Sequence, residues 1–436
     1  MNRKLVYLTV FIFFFGLGVW AYASFMLPDT KSSDSEALET VTVEDEEKEY
    51  VVVAEVNKIE EKDEESVLKA GDDLILAKET FTPATNSDKP LVQKAVSLIR
   101  EYRINEAMDV FVQADTQESD QITQYYLGIL HAYLGERKEA EEFLNKAVMT
   151  NSHPKTTSYA NRFIGAYNYY DTYQGAQAEF LDALISKELL ASGEFEIAID
   201  KLRFITSYNP AYIDAWVLLG SAYLIQGKYD QSTEALKEVL PTDRAEVYYW
   251  LGLAYYYQNN LDKSISGYAQ ALRKGYQPRY RVYEKIGDIY LDKSNYEKAV
   301  ENYSLALAEE DAKSHIDLYI RPVWLYNDVL DDSEQALRLA QQALEFQPDN
   351  AMAYNLVGWS YLGLENFAEA KAYLKTAKEL DPNLAAARLN LGRYFEAVGD
   401  TENALEYYAK ARELDPDGAI GESANRRYLN LQTSDI

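Results

Sequence analysis

The chain of 436 residues contains no cysteine and only three histidines. The missing cysteines exclude disulfide bonds, thiolate metal sites and a cysteine nucleophile. The histidines, His131, His153 and His315, lie far apart in the sequence, so they do not form the closely spaced set typical of a zinc site. No serine–histidine–aspartate arrangement is visible either. We therefore predict no enzyme activity, no metal, no cofactor and no small-molecule substrate.

Basic residues are also scarce relative to acidic ones. The chain has 43 lysines and arginines against 71 aspartates and glutamates, which gives a net charge of −28. Such a chain repels a phosphate backbone, so a nucleic-acid partner is not expected. Tyrosine is abundant by contrast, with 37 copies against 15 phenylalanines and 5 tryptophans. Because tyrosine joins a large apolar ring to a polar hydroxyl, this composition favours protein interfaces.

The one long uncharged run is Leu5–Leu27. It is long enough for a transmembrane helix, which needs about 20 residues. Arg3 and Lys4 precede the run, and the positive-inside rule then keeps the N-terminus cytoplasmic and the remainder extracytoplasmic. The sequence predicts a single-pass membrane protein anchored by residues 1–27. An alternative stays open, because Ala21–Ala23 has the form of a signal-peptidase site, and cleavage after Ala23 would secrete the protein.

Residues 28–87 change character, with acidic runs at Glu44–Glu47 and Glu60–Glu65. A segment of this composition buries little apolar surface, so we predict a disordered acidic linker. Two apolar islands, Tyr50–Ala54 and Leu74–Ala77, interrupt it. They are either docking strands for a partner or simply apolar patches in the linker.

One motif recurs from the middle of the chain onward. Its fullest copy is Trp216-x-x-Leu219-Gly220-x-x-Tyr223. Variants begin at Tyr248, Tyr283 and Tyr354. The copies keep a near-constant period, as the step from Gly358 to Gly392 illustrates. A fixed period of this length predicts stacked pairs of helices.

In these motifs the chain resembles tetratricopeptide repeat (TPR) proteins, in which each repeat is a helix–turn–helix. The resemblance implies an all-α, right-handed α-solenoid of about nine repeats. The family's marker residues place repeats 1 and 2 in residues 88–154, an extra helix in 155–178, repeats 3–9 in 179–418, and a capping helix and tail in 419–436. The seventh repeat is irregular, because Pro322 lies inside its first helix and Trp324 stands where glycine belongs.

The resemblance also implies a partner-binding groove along the first helices of the repeats. The family's groove offsets fall mainly on aromatic and apolar residues, and this lining suits an extended apolar peptide or a helix. The alternative is that the same side chains pack between repeats as core. A charged clamp for a peptide C-terminus is not reproduced. The predicted groove residues are Tyr125, Tyr249, Leu253, Tyr256, Tyr257, Arg321, Asn355, Trp359 and Arg393.

Together these features predict a membrane-tethered TPR scaffold that binds segments of protein partners in the cell envelope. A chaperone-like assembly or secretion factor for envelope proteins is the alternative. The fold serves many unrelated tasks, so it does not name the partner.

Overall fold

The structure is a computed structural model that describes residues 5–12, 21–28, 39–45, 48–54, 87–173 and 177–434. The chain divides into two compact units, Met1–Asp63 and Glu64–Ile436. The described part of the first unit consists of strands. The described part of the second consists of helices and their connections.

Strands occupy the first unit where the sequence predicts a helix and a linker. β1 (Leu5–Ile12) pairs antiparallel with β2 (Ala21–Pro28), and β3 (Glu39–Asp45) pairs with β4 (Lys48–Ala54). The predicted transmembrane helix is therefore not shown. An uncharged run rich in Val, Tyr, Phe and Ile fits a strand as well as a helix, and periodicity does not separate the two.

β3 and β4 lie inside residues 28–87, for which we predicted a disordered linker. Most other residues of that segment, including Leu74–Ala77, lie outside the described residues. Among the helices of the described residues, none combines the length and apolarity that a membrane crossing requires.

The second unit contains twenty α-helices in its described residues. The first ten are α1 (Pro90–Arg100), α2 (Ile104–Glu118), α3 (Gln121–Leu134), α4 (Arg137–Thr150), α5 (Pro154–Asp171), α6 (Ala178–Ser192), α7 (Phe195–Tyr208), α8 (Ile213–Ile225), α9 (Tyr229–Glu238) and α10 (Ala245–Tyr257). The others are α11 (Leu261–Arg273), α12 (Arg279–Asp292), α13 (Tyr296–Ala308), α14 (Asp317–Trp324), α15 (Ser333–Phe346), α16 (Ala351–Gly363), α17 (Phe367–Leu380), α18 (Ala385–Ala397), α19 (Thr401–Leu414) and α20 (Ala419–Ser434).

Short polar residues set several of the helix boundaries. The carboxylate of Asp120 accepts a hydrogen bond from the Thr123 backbone N–H at the start of α3, and Asn350 accepts from Met352 and Ala353 at the start of α16. Such N-caps satisfy backbone donors that have no partner within the helix. Gly135 ends α3 in the left-handed region, at φ +79°, where glycine carries no side-chain penalty.

Small residues on the first helix of a pair make room for large ones on the second. A Cβ added to Gly220 would lie 2.6 Å from Leu236 Cγ, and one added to Gly287 would lie 2.7 Å from a Tyr303 ring atom. The large partner follows its glycine at the same sequence offset in every such repeat. The pairs are Gly128/Leu144, Gly220/Leu236, Gly252/Tyr268, Gly287/Tyr303, Gly358/Leu374 and Gly392/Tyr408. This repeated fit explains why glycine recurs with the repeat period.

The seventh repeat keeps this spacing, but its large residue lies on the first helix and its small residue on the second. Trp324 stands at the glycine position, and Ala340, at the position of the large partner, is fully buried. Pro322 lies inside α14 and offers no N–H to the preceding turn. The helix ends early at Trp324, and Leu325–Val329 continues as a π-helical turn. The sequence located this irregularity, but the π-helical form was not predicted.

The single helix α5 changes the packing at the N-terminal end of the unit. It contacts α4 on one side and α6 on the other, and α7 in turn contacts both α1 and α3. Lys201 of α7 donates to the Tyr133 carbonyl oxygen of α3 at 3.0 Å, and the Tyr133 hydroxyl donates to Asp200 at 2.5 Å. The first repeats are therefore joined to α7 as well as to their neighbours in the sequence.

Candidate functional site

Four of the predicted groove residues lie inside the array. Tyr125 and Asn355 are 0% and 1% exposed, and Tyr249 and Leu253 are also buried. The Tyr249 ring stacks on Tyr276 with centroids 4.3 Å apart. The structure thus places these four as inter-helix packing, which is the alternative that the sequence left open. The physical reason differs between sites: Asn355 lies where α16 packs against α18, whereas the Tyr249 ring is enclosed by Tyr268 of α11 and by Tyr276 after that helix.

The other five predicted residues lie at the surface. They are Tyr256, Tyr257, Arg321, Trp359 and Arg393. Together with Glu284, Lys285, Asp288, Asp328 and Glu396, they define what we call the inner face, on helices α10, α12, α14, α16 and α18 and the turn after α14.

A cluster of alternating charges joins α12 to α14. The Arg321 Nη1 atom lies 3.0 Å from Asp288 Oδ1 and 3.5 Å from Glu284 Oε1. Lys285 Nζ lies 3.3 Å from Asp288 Oδ2. Burial raises the pKa of the Glu284 carboxyl, and the charge of Lys285 opposes that rise. The Arg321 side chain is still 50% exposed, so half of its surface remains open to a partner.

Two of the three glycine–tyrosine pairs direct a tyrosine hydroxyl to this face, whereas the Tyr268 side chain opposite Gly252 stays fully buried. The Tyr303 hydroxyl, which lies against Gly287, donates to Asp288 Oδ1 at 2.8 Å. The Tyr408 hydroxyl, opposite Gly392, donates to Glu396, and Arg427 of α20 pairs with the same carboxylate at 3.1 Å. The second helices therefore orient carboxylates that belong to the first helices.

A second cluster joins residues of three successive repeats. Arg393 of α18 forms two hydrogen bonds, at 3.0 and 3.2 Å, to the Asp328 carboxylate after α14. Between them, Trp359 of α16 donates from Nε1 to Asp328 at 3.3 Å, and the Arg393 guanidinium lies 5.5 Å from the Trp359 ring centroid. Side chains from two well-separated parts of the sequence meet across the intervening helix, so this face is locally concave.

The aromatic end of the inner face lies on α10. The Tyr256 hydroxyl donates to Asp292 Oδ2 at 2.7 Å. Burial is the main cause that raises the pKa of the Tyr256 phenol. The hydrogen bond to Asp292 and the charge of that carboxylate raise this pKa further. The Tyr257 ring stacks on Tyr229 of α9, with centroids 5.4 Å apart. These rings offer apolar area next to fixed carboxylates.

The chemistry of the inner face is that of ion pairs and aromatic surface. Within the described residues, no group of three or more His, Asp or Glu side chains could hold a metal ion. The predicted absence of enzyme activity stays a prediction. Guanidinium groups and rings of this kind can bind carboxylates and apolar side chains of a polypeptide.

Sequence reasoning missed Glu284 and Asp288 although a signal existed. They occupy the same offsets in their repeat as Tyr249 and Leu253 do in the preceding one. The groove prediction did not include that repeat. The buried pair Asn355 and Asn390, joined at 3.0 Å, shows the opposite error, because a polar residue was expected at the surface.

Comparisons with known proteins identify the repeats. One family model described as a tetratricopeptide repeat matches residues 249–315, 330–385 and 358–419. A second, also described as a tetratricopeptide repeat, matches residues 189–254. Among curated proteins, none matches the chain.

Several solved structures are similar over part of the chain. The C-terminal part of a TPR repeat-containing protein from Cytophaga hutchinsonii is 14% identical, with a TM-score of 0.44, and the match covers 56% of this chain and 98% of that one. YrrB, a TPR protein with an unusual peptide-binding site, is 23% identical, with a TM-score of 0.33 and coverages of 44% and 99%. The TPR2AB domain of yeast Sti1 is 19% identical, with a TM-score of 0.24 and coverages of 58% and 97%.

The matched residues fall between α6 and α19 and include α10, α12, α16 and α18 of the inner face, whereas α14 and the turn after it, with Arg321 and Asp328, lie between two matched ranges. Together with the observed helix pairs and their glycine spacing, they confirm the repeat prediction. The chain therefore contains tetratricopeptide repeats in residues 189–315 and 330–419.

Proposed function

We propose that the protein binds a segment of a protein partner on the inner face. TPR proteins generally mediate protein–protein interactions and peptide binding. The observation that supports this assignment most directly is the Asp328–Trp359–Arg393 cluster, in which a ring and a guanidinium are fixed by contacts among three repeats. Groups held in place before binding lose little conformational entropy when a partner arrives.

The charges of the face indicate what the segment carries. In a chain whose net charge is −28, the inner face places Lys285, Arg321 and Arg393 next to four carboxylates. Arg321 keeps half of its side-chain surface exposed while paired with Asp288. A partner carboxylate can therefore approach Arg321, and an apolar side chain can pack on Trp359 or Tyr256. The bound segment combines both features.

Peptide display on the full-length chain tests this proposal. We expect selected peptides to contain an aromatic or aliphatic residue near an acidic one. Changing Arg321→Ala and Trp359→Ala together should weaken their binding about tenfold or more, since few interface residues carry most of the energy. Lys375→Ala on α17, where the side chain is 65% exposed, is the control. Equal binding to the double variant and the control, at unchanged melting temperature, would contradict the proposal.

We further propose, from the sequence, that residues 5–27 attach the protein to a membrane and place its repeats on the extracytoplasmic side. The support is the long uncharged run behind Arg3 and Lys4. Full-length protein should sediment with membranes and resist carbonate extraction. Protease added outside the cytoplasm should digest the repeats. Deletion of residues 5–27 should abolish both behaviours. Complete release by carbonate, with an intact N-terminus, would rule out the anchor.

A further inference from the structure

A cleft of about 670 Å³ opens between α7 and α9, with α8 as its floor. It is lined by none of the residues that define the inner face. Its floor is formed by the side of α8 that carries Trp216 and Tyr223, and its walls are formed by α7 and α9. The volume falls within the roughly 300–1,000 Å³ of typical ligand pockets, so it can take a few side chains of a partner.

The α7 wall of the cleft exposes apolar surface. Phe204, which lines the cleft, is 63% exposed, and Tyr208, one turn later on the same helix and just outside the lining, is 56% exposed. Their ring centroids are 5.9 Å apart. The indole N–H of Trp216 is already satisfied by the Pro210 carbonyl oxygen at 3.0 Å. Neighbouring exposed rings that border a cleft are typical of a protein interaction site, because their burial would release water from a large apolar area.

The α9 wall is acidic. Glu234 and Glu238 stand one turn apart on α9, and both are exposed. Within the described residues, neither is engaged in an ion pair shorter than 4.0 Å. Asp200 adds a third carboxylate from α7, and Arg203 is the basic residue of the lining. Like charges one turn apart on a helix repel each other, and a cation between them relieves the repulsion.

We propose that this cleft is a second docking site, which binds a short basic amphipathic segment of a partner protein. An apolar side chain of the segment lies against Phe204 and Trp216, while lysine or arginine side chains contact Glu234 and Glu238. Charge complementarity selects this occupant over an acidic one, because the lining carries three carboxylates and one guanidinium. The acidic chain as a whole also accelerates the approach of a basic segment.

The test uses the full-length chain and a fluorescently labelled helical peptide of leucine and lysine, about 15 residues long so that a helix can form. A leucine–glutamate peptide and a serine–lysine peptide of equal length are the comparison probes. Fluorescence anisotropy should show binding of the leucine–lysine peptide alone. Phe204→Ala should weaken it about tenfold, as truncation of an aromatic anchor does. The double change Glu234→Lys and Glu238→Lys should transfer the preference to the leucine–glutamate peptide.

Two matched variants on α15 distinguish binding of the peptide in the cleft from a nonspecific attraction of a basic peptide to an acidic protein. Phe346 is 45% exposed, and Glu345 lies beside it. Phe346→Ala and Glu345→Lys should leave the affinity unchanged, and so should Arg393→Ala on the inner face. If the α15 variants weaken binding as much as the cleft variants, the attraction is diffuse and the proposal is wrong. If Arg393→Ala abolishes binding, the peptide occupies the inner face, and the proposal is also wrong.

Discussion

Gly267→Ala should lower the free energy of unfolding by about 2 kcal/mol. Overpacking typically costs about 1–3 kcal/mol. The higher helix propensity of alanine offsets less than half of a cost near the upper end of that range. A Cβ on Gly267 of α11 would lie 2.9 Å from both Cα and N of Gly252 on α10, and 3.2 Å from the Tyr248 carbonyl oxygen. These are backbone atoms, so no side-chain rotation relieves the contact. The two helices must separate.

Gly165→Ala on α5 is the matched control, because a Cβ there meets nothing within 4 Å. It should stabilise α5 by about 0.5–1 kcal/mol, since glycine in a helix interior costs that much relative to alanine. Amide hydrogen exchange measures both changes locally, which suits an array whose repeats need not unfold together. Protection in α10 and α11 should fall about 30-fold in Gly267→Ala, which corresponds to about 2 kcal/mol. Unchanged protection would contradict the close approach of α10 and α11 at Gly252 and Gly267.

Glu194→Gln should make the protein more stable at alkaline pH, and the gain should disappear in acid. Glu194 is 6% exposed at the start of α7 and accepts a hydrogen bond from the Tyr126 hydroxyl at 2.8 Å. Burial raises the pKa of this carboxyl from 4.5 to about 7, an effect that the Tyr126 hydrogen bond opposes. The charge of Glu196 raises this pKa further, while that of Arg100 lowers it.

The sign follows from proton linkage. Because the folded pKa of Glu194 lies above its unfolded value, its contribution to stability is fully present below pH 4.5 and is lost as the pH rises through about 7. Glutamine cannot ionise, so it keeps an acceptor for Tyr126 without this loss. Between about pH 5 and pH 8, the stability difference between variant and wild type should grow by about 2–3 kcal/mol.

Urea unfolding followed by circular dichroism at both pH values measures this difference. Glu365→Gln, at an exposed glutamate in the turn between α16 and α17, is the control and should show no growth. If the free energy of unfolding has the same pH dependence in Glu194→Gln and in the wild type, Glu194 is ionised without cost and is therefore hydrated. In the sequence, Glu194 follows Gly193 in an ordinary helix–helix turn, so nothing there indicated burial.

The repeat period was predictable because it depends on local rules. Each copy repeats the same glycine and large-residue pattern, and the large residue follows its glycine at one constant offset wherever the helix pair closes over it. The sequence also located the irregular seventh repeat from Pro322 and Trp324. A helix with an apolar stripe can bury that stripe only against another helix, so the pattern alone implies the pairing.

The inner face was less predictable. Offsets taken from the repeat family located Arg321, Trp359 and Arg393 at the surface, but they also selected Tyr125 and Asn355, which are buried. Exposure at one offset depends on how closely two successive first helices approach, and that distance varies with the residues of both repeats. The contact from Arg393 to Asp328 passes over the intervening α16, so it depends on the relative placement of three repeats, which no single repeat encodes.

By itself, the sequence determined the stacked helix pairs and the position of their irregular member, because these follow from a fixed repeat period and from the volumes of side chains at a constant offset within each pair. Only the tertiary structure decided which aromatic and charged residues face outward, that Glu194 is enclosed between α3 and α7, and that a cleft remains between α7 and α9. The physical reason is that burial is a property of distances between helices far apart in the chain, whereas helix pairing is a property of neighbours.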